Sequence, residues 1–177
     1  MACPIITSLS KGCRDARGGM EIFYVTELGN LTQASVTIAS GVITNTTSFL
    51  TTGKKFWTIQ VEQFTASEVE NINAVRATGT LSIDPNINMY IPKKQAAVSQ
   101  FIMTLAQNDL VFIGKDNNGT LRMYGLTKGM ALVPSTAPSG VQMSGEQTGY
   151  VLAFAGSEAA FAPEISTTLL AALLVAP

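Results

Sequence analysis

The chain of 177 residues has no histidine, only two cysteines, few charges and no apolar run of membrane-spanning length. Each lack removes a class of function. Without imidazole there is no His-based triad, no His general base and no zinc site built on ring nitrogen. Cys3 and Cys13 are too few for a disulfide framework or a four-cysteine metal site, and they form no CxxC pair. One disulfide tying the N-terminal arm stays open, with two free thiols in a reducing cytoplasm as the default. Residues 1–17 lack the apolar run of a signal peptide, so export by that route is not expected. The apolar stretch 169–176 covers about eight residues against the roughly twenty of a membrane helix, and reads as a packing strand or arm.

Charged residues make up 13% of the chain and hydrophobic ones 46%, where a soluble domain carries about 25% charge. So little charge poorly covers a monomer surface, and much of that surface is expected to lie against other subunits. A monomer solvated by its Thr, Ser and Asn is the plainer alternative. The net charge of -1 lacks the global signature of a nucleic-acid binder. Charge is unevenly placed: Lys11, Arg14 and Arg17 make the beginning basic, whereas after Lys128 only acids remain, Glu146, Glu158 and Glu164. Such asymmetry suits head-to-tail contact between subunits, and equally a solvated surface.

No GxGxxG, GxxxxGK or GxSxG pattern occurs. Glu62, Glu68, Glu70 and Asp84 are close in sequence, but exposed strand and loop carboxylates are far commoner than a glycosidase pair. No catalytic, cofactor-binding or metal-ligating residue is therefore assigned. Asp116-Asn117-Asn118-Gly119 resembles the front of a calcium loop, yet the twelfth position from Asp116 is Thr127 where an acid is needed, so it reads as a turn. Asn30, Asn45 and Asn118 begin Asn-x-Thr triplets, which reflect a Thr-rich composition when no secretion signal is present.

What the chain does contain is organised around residues 95–126. Within 95–109, Ala97, Val98, Phe101, Ile102 and Leu105 recur at three-and-four spacing and predict an amphipathic helix. Leu110 to Ile113 are four consecutive large apolar residues, and Leu121, Met123 and Leu126 resume after a polar turn at 115–119. That first strand has no evident wet face. Elsewhere strands are predicted over 21–28, over 35–43 with a bulge or turn near Gly41, and over 55–64 with Trp57, Ile59 and Val61 on one face. Two short strands, 80–83 and 87–91, are read on either side of Asp84-Pro85-Asn86. A short strand opens the Ser, Pro and Gly-rich stretch 129–145, and another covers 150–155. Residues 65–78 fit a short helix or a loop. Phe49 and Leu50, in a Thr-rich loop at 44–53, are either folded back or offered to a neighbour. The expected fold is mainly β, an antiparallel sandwich or barrel with one flanking helix, in one domain over 1–177 with arms at 1–19 and 164–177.

The run FIMTLAQNDLVFIGKDNNGTLRMYGL (101–126), followed by GEQTGYVLAFAGSE (145–158), resembles major tail tube proteins of long-tailed phages, particularly those infecting Bacteroidetes bacteria. The opening ACPIITSLSKGCRDARGGMEIFYVTEL (2–28) is similar to the start of the same group. The resemblance implies a non-enzymatic virion subunit: six copies close into a ring, and rings stack into a tube in contact with tape measure, terminator and tip proteins. It implies assembly in the host cytoplasm, no membrane, and duplex DNA passing through the lumen without specific binding. A lumen neutral or weakly acidic is expected, since a basic one would retain DNA. Residues expected at subunit contacts are Lys11, Arg14, Arg17, Phe49, Leu50, Val111, Ile113, Phe161, Leu169 and Leu170. The apolar tail 167–177 and the Thr-rich segment around Thr46 depart from the group. Two other readings stay open: another virion component of related fold, such as a terminator, neck or capsid decoration protein, and a secreted ring-forming or adhesive β-domain.

Overall fold

Strands dominate the molecule, as its β-branched and aromatic segments predict. The computed structural model describes residues 17–62, 64–140 and 148–175, so Cys3, Lys11, Cys13 and Arg14 lie outside the described residues. In chain order the elements are β1 (Met20–Glu27), β2 (Ile38–Ala39), β3 (Val42–Ile43), β4 (Trp57–Gln60), β5 (Ala66–Val75), β6 (Thr80–Pro92), α1 (Ala96–Ala106), β7 (Leu110–Asp116), β8 (Leu121–Tyr124), β9 (Met130–Thr136), β10 (Gly149–Gly156) and α2 (Thr167–Leu174). Eight strands form one antiparallel sheet in the order β4-β1-β7-β9-β10-β6-β5, with β8 paired to the far half of β7, and β2 and β3 make a separate small hairpin. The sheet is sandwich-like and does not close into a barrel, so among the described residues β4 and β5 are its unpaired edges.

The reason for the layering lies in β7. Successive side chains of a strand point to opposite faces, and Leu110 to Ile113 are all 0 or 1% exposed. Leu110 and Phe112 enter a first core with Phe23 and Val25 of β1, Ile87 and Met89 of β6, and Leu152 and Phe154 of β10. There Phe112 stacks obliquely on Phe154 at 4.7 Å between centroids and meets Phe23 edge-on at 6.4 Å. Helix α1 closes this core with Leu105 buried and Val98, Phe101 and Ile102 packed against it. The predicted helix is therefore real, though it ends at Ala106 and Ala97 is exposed.

Val111 and Ile113 enter a second core on the opposite face, with Leu31, Phe49, Leu50 and Phe56 from the segment before β4 and Leu169, Leu170 and Leu173 of α2. Burying each such side chain contributes about 1.5–3 kcal/mol relative to leaving it wet. The chain itself thus covers both faces of β7, where the sequence reading gave the second face to a neighbouring subunit. Phe49 and Leu50 fold back: Thr32 N donates to Phe49 O at 2.9 Å and Thr51 N to Asn30 O at 2.9 Å. Residues 163–165 strap the outer edge of β8, through Met123 N to Pro163 O at 3.0 Å and Ile165 N to Leu121 O at 3.0 Å.

Three elements differ from expectation. The C-terminal apolar run is a helix rather than a strand or arm: Ser166 Oγ accepts from Leu169 N at 3.1 Å as an N-cap, and Leu169, Leu170 and Leu173 share the inward face. Residues 66–75, left between helix and loop, are a ten-residue strand paired along its length with β6. The two short strands around Pro85 are one strand of 13 residues. Ile83 N donates to Glu158 O at 2.8 Å, so the Pro85 nitrogen, two residues on, points the same way, beyond the last β10 pair, Ala155 with Asn86. Its missing N–H therefore costs no ladder bond.

Candidate assembly surface

The polar turn at 116–119 spends its carboxylate on the backbone: Asp116 Oδ1 accepts from Asn118 N at 2.9 Å and Thr120 N at 2.8 Å. Among the described residues no group of three or more Cys, Asp or Glu side chains is placed to share a metal ion. No helix among them is long and apolar enough to cross a membrane.

The carboxylates weighed for catalysis partly converge. Glu68 and Glu70 stand on one face of β5, where Glu68 lies beside the buried Tyr124. Burial first, then the Glu70 charge, raises the Glu68 pKa above its ordinary value, and Arg122 opposes the rise. Burial, then the Glu68 charge, likewise pushes the Tyr124 hydroxyl up, so it stays neutral and can donate. Glu70 Oε1 is taken by Ala162 N at 2.7 Å, and Arg122 reaches Glu164 at 3.8 Å. Glu158 Oε1 accepts from Thr127 N and Lys128 N, both at 3.0 Å. Glu70, Glu158 and Phe161 line a cleft of about 100 Å³. Glu70 and Glu164 thus tie the 162–164 loop to the sheet and Glu158 joins the loops after β8 and β10, while Glu62 lies apart on the connection after β4.

The residues expected at subunit contacts divide sharply. Phe49, Leu50, Val111, Ile113, Leu169 and Leu170 are all inside the second core and present nothing to a neighbour in this fold. Each was chosen as too apolar to be wet, and burial within the chain satisfies that equally well. Arg17 and Phe161 are exposed. Lys11 and Arg14 lie outside the described residues.

The surface with unmet contacts is elsewhere. The β10 ladder supports β6 only from Asn86 onward, so residues 71–81 form a two-stranded arm in which every residue is exposed. Register places Ile72 and Leu81 on one face of this arm, Val69 and Val75 on the other. Val69 is 49%, Ile72 60%, Val75 50% and Leu81 57% exposed. A lone two-stranded ribbon is marginal in water, and apolar residues on both faces make it more so. At the arm's base Asp84 Oδ2 accepts from Asn73 Nδ2, while Asp84 Oδ1 is buried without a partner.

The other free edge complements it. Trp57 of β4 is 58% exposed with the Lys55 ammonium 4.4 Å above its ring. Trp57 and Phe101 wall an apolar cleft of about 300 Å³ between β4 and α1, and Lys54 and Lys55 lead into the strand. One edge of the sheet is thus acidic and apolar through Glu68, Glu70 and the arm, the other basic and aromatic. Sequence reading passed over the arm because its apolar residues are spread singly among Asn, Glu and Thr; the alternation of Glu68, Glu70 and Ile72 was the available signal. No protein-family model, curated protein or solved structure matches this chain.

Proposed function

We propose that the chain is a non-enzymatic structural subunit that assembles with copies of itself, as six-membered rings stacked into a phage tail tube through which duplex DNA passes. The observation that carries self-assembly is the pair of free, unlike sheet edges. Edge strands carry unpaired backbone groups, which natural monomers shield by keeping such edges short and charged; here the long edge exposes Val69, Ile72 and Val75 beside its acids, and the short one exposes Trp57 beside its lysines. Joining β5 of one copy to β4 of the next continues the sheet, brings Glu68 and Glu70 toward Lys54 and Lys55, and seats arm side chains near Trp57. Because the two edges differ, the contact is head-to-tail, which makes a ring when the rotation from copy to copy closes and an open filament when it does not. The sixfold number, the stacking and the phage setting rest on the resemblance of residues 2–28, 101–126 and 145–158. Negative-stain microscopy of the purified chain is the test. Hollow tubes with sixfold ring symmetry are expected; single rings that never stack point to a terminator, and monodisperse monomers at high concentration refute assembly altogether.

A further inference from the structure

The hairpin tip between β7 and β8 does more than turn the chain. Asn118 grips the backbone of Arg17 with both ends of its carboxamide: Oδ1 accepts from Arg17 N at 2.7 Å and Nδ2 donates to Arg17 O at 2.9 Å. The same Nδ2 donates to Asp116 Oδ2 at 3.2 Å. Asn117 adds two bonds, Nδ2 to Gly18 O at 2.7 Å and N to Gly19 O at 3.2 Å. A Cβ on Gly19 would sit 2.9 Å from that Asn117 Nδ2, at a φ of +94°, so glycine is required for the approach. This latch fixes where the N-terminal segment enters β1.

Asn118 is also followed by Gly119, the one Asn-Gly pair in the sequence. Asn-Gly is the dipeptide most prone to cyclise, because glycine has no side chain to hinder its nitrogen. We propose that Asn118 is a deamidation site and that its conversion is a one-way release of this latch. The Gly119 nitrogen, on losing its proton, attacks Asn118 Cγ; the new C–N bond forms, the Cγ–Nδ2 bond breaks and ammonia leaves. Water then opens the succinimide to aspartate or isoaspartate, so the net change is amide plus water to carboxylate plus ammonium, with no oxidant. While the latch is closed, Asn118 Cγ is held by three hydrogen bonds and Gly119 N donates to Asp116 O at 3.0 Å, which keeps nucleophile and electrophile apart. Opening frees both. Afterwards the new carboxylate has no N–H for Arg17 O, and it sets a negative charge against that carbonyl and the Asp116 carboxylate. Isoaspartate also routes the main chain of the turn through Cβ. Either product prevents re-closure.

The full-length protein, aged at mildly alkaline pH, tests this by peptide mass and by trypsin cleavage at Arg17–Gly18. The Asn118 peptide is expected to gain the amide-to-acid mass, and converted chains to be cut about tenfold faster than unconverted ones in the same sample, since cleavage of a briefly opened segment follows its open population. Asn118→Asp is expected to show the fast rate from the outset with its thermal unfolding otherwise cooperative. Sorting the aged wild-type pool by mass keeps the test valid should that variant misfold. Aged protein that keeps its amide while the urea-unfolded chain loses it overturns the proposal, and so does equal cleavage of converted and unconverted chains.

Discussion

Two hairpins of this molecule occupy opposite extremes of environment. In β7–β8 the first strand is walled on both faces, Leu110 and Phe112 by one core, Val111 and Ile113 by another. In β5–β6 the distal half has no wall on either face, and Ile72, Val75 and Leu81 stand in solvent. Both are antiparallel ribbons with glycine at a left-handed turn position, Gly119 at φ +86° and Gly79 at φ +68°. What separates them is which partner supplies the burial: the chain's own helices for the first, nothing among the described residues for the second. Apolar content alone therefore does not mark an interface; the better candidate is the apolar residue left uncovered in the folded chain.

The comparison can be broken most severely at β7. A charge at Val111 or Ile113 has no wet face to escape to, and Ile113→Lys is expected to cost several kcal/mol, about enough to unfold a domain of ordinary stability. Circular dichroism and denaturant titration measure it; a folded variant would give β7 a hidden solvent face. Next in size is Leu173→Ala, which opens a void under Val111 and Ile113 and should lower stability by about 2–5 kcal/mol, read as a drop in denaturant midpoint at unchanged slope. Ile72→Asp in the arm is expected to do the reverse: monomer stability within about 0.5 kcal/mol of wild type but tube growth abolished by microscopy. If the variant assembles normally, the arm is not the contact.

The smallest effect concerns Glu68 at the root of the arm. Its folded-state pKa is raised by burial and by Glu70, so the folded chain holds this proton more tightly than the unfolded chain does. Stability from this group is therefore present below the unfolded carboxylate pKa and declines as pH rises through the raised folded value. Glu68→Gln should flatten that slope in a pH series of thermal unfolding while leaving the acid limb below it unchanged. An unaltered slope would mean that another group carries it.

Much of this was legible from local pattern. The helix at 96–106 follows from the periodicity of one buried stripe, the strands at 20–27 and 149–156 from their β-branched and aromatic residues, and the strand at 110–116 from an unbroken apolar run, since both its faces are buried. Pro85 divided β6 on paper since its harmlessness depends on where β10 stops, which no local signal carries. The run at 169–174 was judged by its apolar length, although Ser166 and the spacing of Leu169, Leu170 and Leu173 carried a helix signature. The candidate assembly surface was least legible. Sequence shows that Phe49, Val111 and Leu169 must be dry, but not whether the same chain or another one keeps them so; Val69 and Ile72, diluted among polar neighbours, raised no flag.

Helix α2 also sets an order in time. Its leucines are among the last described residues to be synthesised, and Phe56 N, far upstream, donates to Leu173 O at 3.0 Å. Until they emerge, Val111 and Ile113 are covered only by the segment carrying Leu31, Phe49, Leu50 and Phe56, and a chain stopped before Leu169 keeps part of that sheet face bare. Completion of the second core thus waits on α2: only a polypeptide that has been read through Leu173 has a finished body from which the arm can project, and products truncated before it are expected to fail to fold.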